Sequence, residues 1–430
     1  MFFILPAASD LEKATSPPSP FQDRDFVLLW LGQIISTLGD SASIIVVPIA
    51  IYNYTHAVHN LDKVSLSIWA LASALPVILL GLFAGVFVDR WNRRRTMLVS
   101  DLARAVVSLI LLGVHSAHDI WLFYIAAFLA SAFSCFFLPA RSALMASILP
   151  RQMLMRANAA STSSVQIVSF AGPILTALLL KLIHVRGIFL FNAVTFLLSA
   201  LCIFLVTRAE PVPMKKRLFA GVWQEMREGL TYIRRNQTLS AILIILTIVI
   251  LGAGVYNTLE VAFAKDVWHV TDSQYAELMA AFGLGMIAAG LLVAGPLRDI
   301  LPPRLIAAAL ALMAVGGFGF ALAPTYLWGG AALFLLGLGN MLFNIPAITL
   351  FQNVAPNAML GRIFATTALL QHTATFIAAG FAGYLSTFVA WRPLFAGLSG
   401  VYLVCALLTV PLLDRKRAPV SENALSSLDT

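Results

Sequence analysis

Asp40 stands alone among small and apolar residues in the stretch STLGDSAS. A carboxylate inside a long apolar segment is costly, which makes it a functional candidate by default. Facing a water-filled cavity, it would bind and release a proton in each turn of a cycle. Hydrogen-bonded to Ser36, Ser41 or Ser43, it would be structural. Glu260, in VYNTLEVAFAK, offers a similar choice: it would gate a vestibule or draw a cationic ligand, or it would sit at an interface near Lys265. Arg141, in PARSA, would meet an acid or an anionic substrate, or anchor a loop. Gln166, Asn340, Asn344, Gln371 and His372 are polar within late apolar runs and would line a cavity or hydrogen-bond between helices.

Charge of a different kind is gathered in GVFVDRWNRRRTM, where residues 89–95 hold one aspartate and four arginines. Asp89 with Arg90, Arg94 and Arg95 would bridge the ends of facing helices, or would only hold a loop on one side of a membrane. Gly85, with Gly81, makes a GxxxG face that would admit a close neighbour. Asn92 would supply a left-handed turn. Asp101 would join this network, or pair with Arg104 three residues on.

The remaining chemistry is sparse. Six of the seven histidines (His56, His59, His115, His118, His184 and His269) fall near loops of one face, two pairs with HxxH spacing, but no acidic or cysteine partner stands out, so no metal is expected. Cys135, Cys202 and Cys405 are far apart in apolar runs, which suggests neither a disulfide framework nor zinc. GxxxxGK[ST], HExxH and GxSxG are absent, so the chain is not expected to be an enzyme or to need a cofactor. An ion gradient or the substrate itself must supply any driving force.

These groups have to be positioned by membrane-length elements. The 430 residues are 60% hydrophobic and 11% charged, with mean hydropathy +0.88. Twelve apolar spans can be cut, each near the length that crosses ~30 Å of hydrocarbon. They run at about 26–54, 64–88, 96–116, 119–141, 157–183 and 186–206, then 240–264, 273–296, 304–323, 326–349, 362–386 and 391–413. Of the 28 Lys and Arg, 22 fall on the side of the chain ends and five on the other (Lys63, Lys181, Arg186, Lys265, Arg392), which predicts cytoplasmic termini. The +8 charge is explained by those loops, and no basic and aromatic run suggests nucleic acid. Residues 1–25 read as a cytoplasmic tail, 26–206 and 240–413 as six-helix bundles, 207–239 as a cytoplasmic linker and 414–430 as a second tail. In the linker, Phe219, Val222, Trp223, Met226, Leu230 and Ile233 have helical spacing, predicting an amphipathic helix along the membrane surface.

The halves are related. FLPARSALMASILPRQMLMRANA matches NIPAITLFQNVAPNAMLGRIFA, pairing Pro139 with Pro346, Pro150 with Pro356 and Arg156 with Arg362. Gly85 and Asp89 likewise match Gly295 and Asp299. Parallel repeats of this kind are a transporter plan.

On these motifs the chain resembles the major facilitator superfamily over residues 24–415, and its wording is most similar to the bacterial macrolide-type and enterobactin-type exporters. The resemblance implies an all-α polytopic membrane protein with twelve transmembrane helices in two pseudo-symmetric bundles, working by alternating access. It also implies efflux of amphipathic small molecules in exchange for protons, across a bacterial cytoplasmic membrane and by a monomer. The loop from Gly85 to Arg95 is then a conformational latch, although Asn92 stands where the family usually has Gly. Gly172–Pro173 resembles a degenerate antiporter signature, most of whose other glycines are missing. Two other readings stay open: uptake of a nutrient by the same fold, and a sensor or scaffold that moves nothing.

Overall fold

The computed structural model describes residues 19–56, 58, 61–208, 219–298, 300–356 and 359–413. His59, Asp299, most of the first tail, residues 209–218 of the linker and the second tail lie outside the described residues. Among the described residues there is no strand.

Polar side chains cap the starts of several helices. Asp23 accepts hydrogen bonds from the backbone N–H groups of Asp25 and Phe26 and starts α1 (Arg24–Thr55). The expected first tail is therefore too long at its end: residues 20–22 form a short 3₁₀ turn and helix begins at Arg24. Asp25 is buried and accepts from the backbone N–H of Thr207 and of Arg208, tying the first helix to the end of the first half. There follow α2 (Asp62–Val88), α3 (Arg93–Ile110), α4 (Trp121–Ile148), α5 (Arg151–Phe204) and α6 (Phe219–Arg235). The second half comprises α7 (Gln237–Trp268), α8 (Asp272–Ala294), α9 (Pro302–Leu322), α10 (Tyr326–Val354), α11 (Leu360–Phe388) and α12 (Trp391–Leu413).

Ten stretches within these helices are long and apolar enough to cross a membrane. One is α5, whose 54 residues break at His184 (φ 53°, ψ 178°) into two limbs of span length. The more polar α11, at 29 residues, supplies the remaining span. Twelve spans result, with α6 between the halves. Pro139 in α4 and Pro346 in α10 sit at corresponding depths, as the repeat requires.

In the first half α1 lies chiefly against α5, while in the second α10 packs on α8 and α9, and α9 on α12. The halves meet along α5 with α8 and α2 with α11. Polar contacts between them gather at the end away from the chain termini. There the Tyr52 hydroxyl donates to Asp266 (2.5 Å), Lys265 Nζ donates to Asn53 (2.6 Å), and Lys181 pairs with Glu277 (2.7 Å). At the terminal end, Arg93 and Arg94 reach carbonyls of their own half, those of Ala143 and Ile203.

The linker helix is held by protein as well as by its amphipathic pattern. Glu228 pairs with Arg362 of α11, and Ile233 is buried. Gly229 allows the contact, because a Cβ there would come 2.7 Å from Thr366 Oγ1 and 2.9 Å from the Arg362 carbonyl. Gly229→Val is therefore expected to detach α6 from α11. Limited proteolysis between 209 and 235 should speed up several-fold, and an unchanged cleavage rate would refute the docking.

Candidate functional site

The strongest concentration of charge inside the spans lies between α1, α3, α4 and the second limb of α5. Arg104 pairs with Asp101 one turn earlier on α3, and Asp101 also accepts from Ser199 Oγ at 2.6 Å. Arg104 Nη1 lies 3.5 Å from Asp40 Oδ2 and 3.4 Å from Ser134 Oγ. Its guanidinium is covered by two rings, Phe137 at 4.7 Å and Phe196 at 4.4 Å, a cation–π sandwich that packs the planar face while the edge makes hydrogen bonds. Of the two readings of Asp101, the structure forms the intrahelical pair, and Arg104 also reaches Asp40, a contact neither reading anticipated. The expected serine partners of Asp40 give way to this arginine; Ser36 instead donates to the Gln33 carbonyl.

Two carboxylates share one guanidinium, and their surroundings differ. The Asp101 side chain is 0% exposed and doubly held, whereas that of Asp40 is 52% exposed and touches Arg104 at the edge of hydrogen-bond range. Asp101 serves to fix the arginine. Asp40 is the more accessible and the more loosely held of the two carboxylates.

The backbone beside Asp40 is fixed by close packing. Gly39 faces α5, where an added Cβ would overlap the side chains of Thr195 and Asn192. Asn192 in turn donates to Ser108 of α3 at 3.1 Å. Gly39→Val should push α1 off α5, destabilising by roughly 1–3 kcal/mol or more and abolishing transport. A variant that extracts, unfolds and transports like wild type would contradict this packing.

Other expected residues are placed elsewhere. Glu260 accepts from the Tyr275 hydroxyl (3.1 Å) and, with Asn340, lines a cavity of about 230 Å³ inside the second half, together with Tyr256, Asn257, Phe282 and Met313. Lys265 does not partner it, being bound to Asn53 and Asp272. Asn344 donates to Asn340 one turn earlier, a bond within α10. Arg141 lies within α4, which continues to Ile148; its Nε and Nη1 are buried without a partner among the described residues. Gln166 on α5 and His372 on α11 are exposed, and Gln371 is half-buried.

Two expectations for the charged loop need correction. Asn92 has φ −69° and is not left-handed; it is the N-cap of α3, its Oδ1 accepting from the Arg95 N–H at 2.8 Å. A cap needs an extended backbone and a side-chain acceptor, and Asn supplies both. Gly85 has no close neighbour, for a Cβ there would meet nothing within 4 Å. Asp89 ends α2 and is half-buried, Arg90 and Arg95 are exposed, and Arg94 lies against the Phe204 ring and carbonyl.

Ser199, Ser134, Phe137, Phe196 and Tyr275 were not anticipated. Their types are ordinary in apolar helices, and only their meeting around a charge gives them a role.

A family model described as Major Facilitator Superfamily matches residues 29–379 and 242–428. Macrolide efflux protein A of Streptococcus pyogenes is 24% identical over 402 residues, covering 91% of this chain and 96% of the relative. The enterobactin exporter EntS of Citrobacter koseri is 25% identical over 393 residues, covering 90% and 91%. In the backbone, the crystal structure of the nucleoside transporter NupG superimposes with a TM-score of 0.73 over 90% of this chain and 99% of that one. At 9% identity, that last likeness concerns the fold alone.

Proposed function

The chain belongs to the major facilitator superfamily and is a multi-pass membrane transporter rather than an enzyme; from that premise we propose that it exports amphipathic small molecules from a bacterial cytoplasm in exchange for protons. The observation that carries the coupling is the unequal sharing of Arg104. Asp40 is half-exposed within a span, and charge placed against lipid is costly, so the carboxylate belongs to the water-filled gap between the halves. Gln166 and His372 are also exposed within spans. Protonation of Asp40 releases it from Arg104, which Asp101 and the two rings retain. Protonation from the outer side drives the substrate off, and loss of that proton to the cytoplasm restores the pair and readies the site for the next substrate.

The two bundles, 26–206 and 240–413, then rock about this gap as a monomer, with both termini cytoplasmic in keeping with the basic loops. With the contacts at the far end made, the described conformation is closed to the outside. On outward opening, the terminal ends converge and the empty side of Gly85 receives a helix of the other half. Asp89 with Arg90, Arg94 and Arg95 then acts as the latch. Glu260 and Asn340 mark a smaller polar pocket that contacts the substrate's edge, and Arg141, with its unpartnered nitrogens, takes an acidic group during the change. The relatives named for macrolide efflux and enterobactin export support amphipathic cargo.

The test uses inside-out vesicles acidified within and carrying a pH-sensitive dye, to which macrolides, catecholate siderophores, cationic dyes and nucleosides are added singly. Proton release with a bulky amphipathic class supports exchange. Accumulation of a compound by intact cells, with no proton release from vesicles, replaces export by uptake.

A further inference from the structure

At the outer end, His56 and Asp62, six residues apart in the first half, meet Asp266 of the second. His56 caps the end of α1, Asp62 begins α2, and Asp266 lies near the end of α7. His56 Nδ1 is 3.9 Å from Asp62 Oδ2 and 3.7 Å from Asp266 Oδ1, and one donor atom from each residue lies within 4.8 Å of the others. Asp62 is 0% exposed, and neither of its carboxylate oxygens has a hydrogen-bond partner among the described residues. A buried carboxylate left in that state is strongly unfavourable unless a cation or a proton completes it.

Nearby groups do not supply the missing charge. Asp266 accepts from the Tyr52 hydroxyl and from Trp391 Nε1 (3.1 Å), both neutral donors that aim its oxygens. Lys63 stands over the Trp391 ring at 4.3 Å and donates to the Ser386 carbonyl. Lys265 is engaged with Asn53 and Asp272. Two carboxylates and an imidazole remain, one nitrogen and two hard oxygens, a donor set that suits zinc or manganese. Tetrahedral coordination with ~2.1 Å bonds requires ligands roughly 3.4 Å apart, so modest side-chain rotation from the present spacing would close the set. The half-exposed His56 leaves a side open to water.

We propose that His56, Asp62 and Asp266 form a binding site for a divalent transition metal at the outer end of the transporter. Because His56 and Asp62 belong to the first half and Asp266 to the second, the ion ties the halves together. By linkage, a ligand that binds only the outer-closed arrangement stabilises it, so external metal holds the protein inward-facing and slows the cycle. The sequence concealed the site because Asp266, its third member, lies some two hundred residues from His56 and Asp62.

The experiment uses the full chain without a polyhistidine tag, stripped by chelator and titrated with ZnCl₂ and with MnCl₂ by calorimetry, with unfolding temperature read in parallel. One ion per chain should bind with micromolar affinity and raise the unfolding temperature. His56→Ala and Asp62→Asn should each weaken binding at least about tenfold, while His118→Ala should bind as wild type does. The proposal is overturned if the wild-type chain takes up neither ion, or if both cluster variants bind it undiminished; a proton then neutralises Asp62. Should Asp62→Asn fail to fold, Asp266→Asn and the wild-type titration decide the matter. Spin labels on the outer ends of α1 and α7 should show the closed distance enriched by zinc, and an unchanged distribution would remove the bridging role.

Discussion

Asp40→Asn is expected to bring gradient-driven transport down to the level of empty vesicles while leaving substrate binding and folding intact. Asparagine keeps the shape and can still accept from Arg104 Nη1, but it cannot take up and lose a proton. Arg104 stays neutralised by Asp101, so no buried charge is stranded and the bundle should extract and unfold as wild type does. The loss should therefore be confined to coupling: substrate–substrate exchange with no pH gradient persists, and its rate no longer varies with pH. Full proton-driven accumulation by Asp40→Asn would end the proton-carrier assignment. Loss of exchange together with accumulation would make the residue a substrate ligand instead.

The second large effect is on stability. Arg104→Leu leaves Asp101, which is 0% exposed, without its counter-ion, and breaking a buried pair on one side costs about 3–5 kcal/mol. Most of the protein should then be lost as aggregate on detergent extraction, and the remainder should unfold at a clearly lower temperature. Arg104→Lys should rescue it poorly, since an ammonium can neither lie flat between Phe137 and Phe196 nor reach two carboxylates by separate nitrogens. Asp101→Asn combined with Arg104→Leu removes both buried charges and should recover much of the stability without recovering coupling. If the single and double variants unfold alike, the pair contributes nothing to holding the first half together.

The spans were legible because apolar length is a composition signal, and the repeat because two prolines and an arginine recur in step. Helix ends were less so. α4 runs to Ile148 and α5 starts at Arg151, past the apolar limits, because a helix leaving the bilayer keeps its backbone hydrogen bonds while its side chains turn polar. α3 shows the opposite error, ending at Ile110 before a 3₁₀ turn although its apolar run continues. Asp40 could be singled out by its cost in an apolar segment and Asp101 paired with Arg104 by spacing, but that Arg104 also reaches Asp40 could not be read. Arg104 meets Asp40 only because α1 and α3 both pack on α5, and the rings that cover it come from α4 and α5. Likewise, nothing near His56 in the chain announces Asp266 some two hundred residues on.

His184 turns one helix into another with a single residue and no loop between them. The limb before it lies along α8 of the opposite half, where Gly283 meets the Phe170 carbonyl; the limb after it carries Asn192, Thr195, Phe196 and Ser199, which surround Gly39, Arg104 and Asp101. A loop would absorb rotation, but one fixed residue has almost no slack. In the proposed cycle the two limbs would act as a crankshaft: torque taken up at the seam between the halves would reach the ion pair as a twist, and a change in the ion pair would return to the seam by the same shaft.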